Sequence, residues 1–261
     1  MSQEPKYPVL TLIKSIEIIN YLSTIIDNRG AYITELSQHL SLGKSSVHRL
    51  LDTLLYYGYV EKNEATKCYR LGWKLYTIGQ MVPQQNQLAS LDKQFMIEIA
   101  EKTAEIVNLG VLRDNETVII SQVDGSTSSL RVNVQQGTSE PVYATALGKV
   151  LLSEQSDMEI LKILKTVEPF VPYTNRTISS GEGFLKAVRL ARKRGFATDL
   201  EEFSTGLVCI ACPVRDYTGK IIAAMSVSMP KVRYNRTSHA KILAALREGT
   251  KKASYALGYR A

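Results

Sequence analysis

Long apolar runs are missing from this sequence of 261 residues. No stretch of 18 or more apolar residues occurs, which excludes an ordinary membrane-spanning helix. The opening residues, Met1 to Pro8, are polar and lack the apolar core of a secretory signal. A cytoplasmic chain with no membrane partner is therefore expected. Cysteine is scarce: Cys68, Cys209 and Cys212 are all there is. Three thiols without a signal argue for reduced cysteines and against a disulfide framework. Histidine is as scarce, with only His39, His48 and His239. There is no H-E-x-x-H pair, no Gly-rich phosphate loop, no internal repeat and no low-complexity segment, so neither a metal nor a cofactor is expected.

Cys209 and Cys212 form a lone C-x-x-C inside Leu207-Val208-Cys209-Ile210-Ala211-Cys212-Pro213-Val214, which reads as a buried strand. On a strand, residues three apart point to opposite faces, so a shared metal or an easy disulfide is not expected. Cys209 as an enzyme's nucleophile would need a base beside it, and no histidine is placed for that by local sequence.

The chain is long enough for one large domain or two medium ones. Its net charge of +7 invites a nucleic-acid reading, but the excess is spread out. Residues 1–87 hold 9 Lys+Arg against 7 Asp+Glu, and the remainder holds 23 against 18. Charge is compatible with DNA binding without demonstrating it.

The stretch from Leu36 to Arg70 carries more information. A helix opens at Lys44 and runs to Tyr57, stopping at Gly58. Val47, Leu50, Leu51, Leu54 and Leu55 keep the spacing of one apolar helical face. At about 100° per residue, Ser45, Arg49, Asp52 and Tyr56 point the opposite way, with Ser46 and Thr53 on one flank and His48 on the other. Hydroxyls and a guanidinium on the first turns are what a recognition helix offers to the major groove, and a solvated amphipathic helix has the same pattern. Context separates the two. Thr34 to Leu40 is a short helix with Thr34 as its expected N-cap and Leu36 and Leu40 inward. Ser41-Leu42-Gly43 is the turn, with Gly43 expected to permit its tight geometry. Tyr59 to Leu71 reads as strand, turn and strand, a wing on which Lys62, Lys67 and Arg70 can hold phosphates. The expected unit is a winged helix-turn-helix at residues 1–72.

The phrase Gly43-Lys44-Ser45-Ser46-Val47-His48-Arg49-Leu50-Leu51 resembles the helix-turn-helix of the isocitrate-lyase-regulator (IclR) family of bacterial transcription factors. The resemblance covers nearly the whole chain. It implies double-stranded operator DNA as partner, with Thr34, Lys44, Ser45, Ser46, His48, Arg49, Thr53, Lys67 and Arg70 as the candidate contacts. It also implies a homodimer or a dimer of dimers, and repression as the commoner behaviour.

Before the turn, Val9 to Ile26 is a first helix whose Val9, Leu12, Ile13, Ile16, Ile19 and Leu22 are expected to pack under the reading helices. After the wing, residues 73–87 read as a linker helix ended or interrupted by Pro83. Its Trp73, Leu75, Tyr76, Ile78 and Met81 need a partner, either a second copy or their own module. Residues 88–261 change pattern. Helices are expected at Leu91–Ala104, Tyr143–Ser153, Gly183–Lys193 and His239–Leu257. Strands are expected at Ile106–Arg113, Glu116–Val123, Leu130–Val134, Val208–Val214 and Ile221–Ser228. This is an α+β domain with an antiparallel sheet. The family domain it resembles is GAF-like, a sheet and helices around a small-molecule pocket.

Three segments carry the resemblance there. Tyr143-Ala144-Thr145-Ala146-Leu147-Gly148-Lys149 opens a helix whose free N–H groups suit a carboxylate, with Thr145 as donor or as helix cap. Arg194-Gly195-Phe196-Ala197-Thr198-Asp199-Leu200-Glu201-Glu202, followed by Gly206 to Ala211, matches the family's glycine, acid, acid and cysteine pattern. By that likeness Asp199 and Cys209 line the effector pocket, while Glu202 is either ligand-facing or structural. Ser226 and Ser228 share one strand face and match the family's paired effector-contacting serines. The implied effector is a small carboxylate, a sugar acid or an aromatic acid, held by Thr145, Ala146, Leu147, Asp199, Cys209, Ser226 and Ser228. Two departures bear on its identity. Leu147 is bulky where some members carry a small residue, and Arg215-Asp216 stands where an aromatic often precedes the acid. Tyr143 to Lys149 and Thr174-Asn175-Arg176-Thr177-Ile178 look most like the branch that includes repressors of 2-keto-3-deoxygluconate and related sugar-acid pathways. The other readings are a second domain that only oligomerises, and a cysteine-dependent enzyme.

Overall fold

The computed structural model describes residues 5–25, 29–84, 88, 91, 93–128 and 137–260. The chain divides into two compact units, Ser2–Asn86 and Gln87–Ala261. The strand expected at Leu130–Val134 lies outside the described residues.

The first unit builds α1 (Leu10–Ser23), α2 (Ile33–Leu40), α3 (Lys44–Tyr56), the wing strands β1 (Val60–Lys62) and β2 (Tyr69–Leu71), and α4 (Trp73–Gln84). Ile18, Leu22, Leu36, Leu40, Val47, Leu51, Leu54, Val60 and Tyr69 form its core. Antiparallel β1–β2 pairing closes the wing, and Ala31 bridges Tyr69 on the other side.

Several local expectations change. Tyr32, not Thr34, caps α2: its N–H donates to Glu35 Oε2 at 2.7 Å, and Thr34 lies exposed inside the helix. The tight turn is made by Ser41, with φ of 53°, whereas Gly43 has an ordinary φ of −62° and caps α3. Leu55 stays exposed on α3. On α1 the buried pair is Ile18 and Leu22, while Val9, Leu12 and Ile16 are exposed. The six-residue pattern read there mixed a core stripe with an outward one.

The second unit sets a six-stranded antiparallel sheet between helical layers. Its strands are β3 (Ile106–Arg113), β4 (Glu116–Asp124), β5 (Ser139–Pro141), β6 (Ala197–Leu200), β7 (Leu207–Arg215) and β8 (Ile221–Pro230), in the order β5-β4-β3-β8-β7-β6. One face packs α5 (Gln94–Thr103) and α9 (Arg236–Ala256) through Met96, Ile99, Val107, Ile210, Met225, Val227, Ile242 and Leu246. The other face packs α6 (Ala146–Leu151), with α7 (Asp157–Val167) and α8 (Gly181–Arg194) outside it. Cys212 joins the α9 side and Cys209 the α6 side, so the C-x-x-C splits across the sheet. Helix α7 is an addition to the expected elements. Its start was signalled by Ser156 and Glu159, which cap each other reciprocally.

The start of α6 is held by close packing. Leu147 fits because Gly110 opposite it has no side chain: a Cβ there would lie 2.9 Å from Leu147 Cδ1. Gly148 backs onto the single turn Val142–Ala144, where a Cβ would overlap the Val142 carbonyl. Gly148→Ala is expected to destabilise the second unit by about 3 kcal/mol through overpacking against backbone. A lower melting transition checks it, and an unchanged one would show that the turn yields.

Candidate ligand cavity and nucleic-acid interface

Alternation along the strands sends Asn108, Cys209, Ser226, Ser228 and Asp199 to the α6 face, opposite the large apolar side chains of the same strands. There they meet Thr145, Ala146 and Leu147 at the start of α6, with Ile119, Phe203, Leu207 and Glu140 completing one cavity. All seven effector candidates named from the sequence line it. Asn108 and Glu140 were missed. Asn108 sits within an apolar strand, and Glu140, directly before Pro141, reads as a surface turn.

A hydrogen-bonded ladder crosses the floor. Gln122 donates to Asn108 Oδ1 at 2.9 Å, and Asn108 donates to Ser228 Oγ at 3.1 Å. Ser228 Oγ lies 3.2 Å from Cys209 Sγ. Asp199 stands opposite Cys209 in the β6–β7 register. Thr145 serves as the N-cap of α6: its hydroxyl accepts from the Gly148 N–H at 3.0 Å. Glu202 is structural, its carboxylate paired with buried Lys149 at 2.5 Å. By contrast, the hydroxyl of Ser226, 2% exposed, has no hydrogen-bond partner among the described residues.

Burial controls the electrostatics. It pushes the Asp199 carboxyl up to about 7, against the stabilising N–H of Glu202, which donates to Asp199 Oδ1 at 2.6 Å. It pushes Glu140 up to about 7 as well. The Cys209 thiol is raised well above its ordinary range, first by burial and then by Asp199. A thiol held protonated, with Ser228 as its side-chain partner, is no nucleophile.

The cavity is small, about 20 Å³ open to the centre of a water-sized sphere. A roomier surface cleft of about 460 Å³ is lined by Glu154, Arg192 and Arg215 among others. Its arginines are already engaged, Arg192 by the Ser153 and Gln155 carbonyls and Arg215 by Glu154. The buried cavity, lined by polar groups from several strands, is the stronger candidate of the two.

In the first unit, Lys44, Ser45, Ser46, His48, Arg49 and Thr53 are all exposed on α3. His48 pairs with Asp52 at 2.9 Å, Lys67 with Glu64 at 2.8 Å and Arg70 with Glu61 at 2.9 Å. Lys44 and Arg49 have no side-chain partner among the described residues.

Known proteins carry the same two units. Residues 11–64 match the IclR helix-turn-helix domain, and residues 80–255 match the family described as bacterial transcriptional regulator IclR C-terminal. The chain belongs to the IclR family. It is 35% identical over 244 residues to the HTH-type transcriptional regulator KdgR of Escherichia coli K12, covering 94% of this chain and 92% of that one. It is 32% identical to XynR of the same organism, covering 88% of this chain and 90% of that one. The crystal structure of an IclR-family regulator from Alicyclobacillus acidocaldarius superposes with a TM-score of 0.82 at 23% identity, covering 97% of this chain and all of that one. As an IclR-family member the chain is a DNA-binding, ligand-responsive transcription factor and not an enzyme. No helix among the described residues is long and apolar enough to cross a membrane.

Asp199 gives the cavity a pH signature. Its raised carboxyl contributes stability that is complete below about pH 4 and is lost as pH rises through about 7. Between pH 5 and pH 8 the wild type should lose about 2–3 kcal/mol more than Asp199→Asn. Thermal melts across that range check it, and parallel profiles would show that Asp199 titrates normally.

Proposed function

We propose that this regulator is a repressor whose second unit senses a small carboxylate metabolite, a sugar acid or an aromatic acid, in the cavity beneath α6. One observation carries the reading. Asn108, Asp199, Cys209, Ser226 and Ser228 converge on one buried cavity. Buried polar groups are costly unless satisfied, and a polar ligand satisfies them. Thr145, Ala146 and Leu147 form the opposing wall.

The cavity volume favours one competing reading, a domain that only oligomerises. Space of about 20 Å³ holds roughly one water molecule. A carboxylate therefore needs its walls to part, and Leu147 and Phe203 are the large side chains that must yield. The open Ser226 hydroxyl supports a ligand over a permanently filled core. The effector then acts by preferring an opened cavity, and it changes DNA affinity only by that preference.

On the DNA side, α3 enters the major groove with Arg49 forked onto a guanine, and Lys44, Ser45, Ser46, His48 and Thr53 around it. Thr34, Lys67 and Arg70 serve phosphates. Releasing Lys67 from Glu64 costs little, because exposed ion pairs are weak. The protein works as a homodimer or a dimer of dimers. Exposed Trp73, Tyr76, Met81 and Val82 on α4, and Val9, Leu10, Leu12 and Ile16 on and beside α1, supply apolar surface for a second copy.

Arg49→Ala should weaken operator binding by about 1–3 kcal/mol and relax preference at one base pair. Lys67→Ala should instead weaken all sequences alike and flatten the salt dependence. Binding to a selected operator and to scrambled DNA at two salt concentrations separates them. Unchanged operator affinity in Arg49→Ala would remove α3 from the groove.

A thermal-shift screen of the full-length protein against pyruvate, glyoxylate, 2-keto-3-deoxygluconate and 4-hydroxybenzoate tests the cavity. A binder well above its dissociation constant raises the melting temperature by mass action. One clear shift, lost in Cys209→Ala or Ser228→Ala, is expected. A shift that survives both substitutions would place the ligand elsewhere.

A further inference from the structure

Glu140 stands apart from the other groups that line the cavity. It comes from β5, an edge strand of three residues, while Asp199 comes from β6 at the opposite edge of the sheet. The sheet curls enough to bring both to one cavity. The Asp199 carboxyl is held by the Glu202 N–H. No hydrogen bond reaches the Glu140 carboxyl among the described residues. Glu140 and Cys209 line the same cavity, and the Glu140 charge adds to the upward pressure on the Cys209 thiol.

Lys149, on the helix above the cavity, is already committed. Lys149 Nζ binds both Glu202 oxygens and the Thr198 carbonyl at 2.8 Å, leaving no donor for Glu140. Among the described residues that line the cavity, the Glu140 carboxyl and the Ser226 hydroxyl each lack a side-chain hydrogen bond. We propose that Glu140 is a specificity-determining residue that selects a hydroxylated carboxylate over an acid that is apolar away from its carboxylate. This rests on the reading of the cavity as the effector site. A hydroxyl both donates and accepts, so it pairs with a carboxyl in either protonation state. That matters for a side chain that burial pushes up to about 7. An apolar group placed there would bury the carboxyl without a partner, which costs more than the hydrogen bond itself contributes. Ser226 lines the same cavity and supplies a further hydroxyl to such a ligand.

The test is calorimetric titration of the full-length protein and of Glu140→Leu and Glu140→Gln. The probes are glycerate and gluconate, set against 2-methylbutyrate and hexanoate. The first apolar acid replaces each glycerate hydroxyl by a methyl group, and the second matches gluconate in carbon count. The wild type should bind the hydroxy acids at least about tenfold more tightly than the apolar ones. Glu140→Leu should erase that preference, and Glu140→Gln, which keeps hydrogen-bonding capacity, should retain part of it. The Glu140→Gln result stands by itself if the leucine variant fails to fold, since melting without ligand reports folding separately. Equal binding of both probe classes by the wild type, or an unchanged ratio in the variants, overturns the role of Glu140. Loss of both classes in Ser228→Ala would then leave the effector site itself standing. Silence from all four acids in wild type and variants alike overturns the effector reading and this inference with it.

Discussion

The second unit depends on one buried ion pair. Lys149, on the fourth residue of a six-residue helix, sends its ammonium inward to the Glu202 carboxylate at 2.5 and 2.6 Å and to the Thr198 carbonyl. Removing two charges from water is expensive, and short, multiple contacts are needed to offset it. Taking away one partner would leave a buried charge unpaired, at about 3–5 kcal/mol. What the pair joins explains why the cost is tolerated. It ties the start of α6, where Thr145 to Leu147 stand, to the turn after β6, which carries Phe203 and follows Asp199 on β6 itself. Both are walls of the same cavity. Threonines from a neighbouring loop tighten that turn from outside: Thr174 donates to the Glu201 carbonyl and Thr177 to the Glu202 carbonyl. Glu201 is held there with a φ of 65°, a conformation a non-glycine residue adopts only under such constraint.

Much of this was legible in the residues, and the failures have physical causes. The polar face of α3 follows from helical periodicity alone, because Val47, Leu51 and Leu54 fix which side is buried. Ser226 and Ser228 follow from strand alternation, and their neighbours Met225, Val227 and Met229 do point the other way. Periodicity failed on α1, where an outward stripe is as apolar as the inward one. An apolar pattern reports burial in whatever covers it, and a single sequence does not say which partner that is. Gly43 misled because glycine is the usual choice for a left-handed turn, yet Ser41 takes that conformation. Thr145 had two possible tasks, and the helix took it as a cap. Glu140 and Asn108 were hidden for a different reason. Their role comes from the curl of the sheet and from pairings between distant strands, which no local pattern encodes.

Those long-range pairings also bear on how the cavity can communicate. Its floor is a polar ladder through β4, β3, β8 and β7, and each rung is a strand whose opposite face packs against α5 or α9. Protein interiors are close-packed, so a floor under such packing resists displacement. The opposing wall is held by side-chain packing: Leu147 sits over Gly110, and Phe203 lies against Tyr173 with ring centroids 5.2 Å apart. In the proposed reading, opening by a small ligand falls to the α6 side, whose wall is not part of the strand ladder. Yet that side is bound together by Lys149 and Glu202, so its pieces shift more readily as one body than separately. In the proposed reading such a wall has two arrangements, closed and parted. A ligand preferring the parted one needs about 5.5 kcal/mol of differential affinity to move the balance from 1:99 to 99:1. Hydrogen bonds to charged groups contribute about 1.5–3 kcal/mol each. One such contact falls short of that amount, so the shift calls for several polar contacts made only in the parted arrangement.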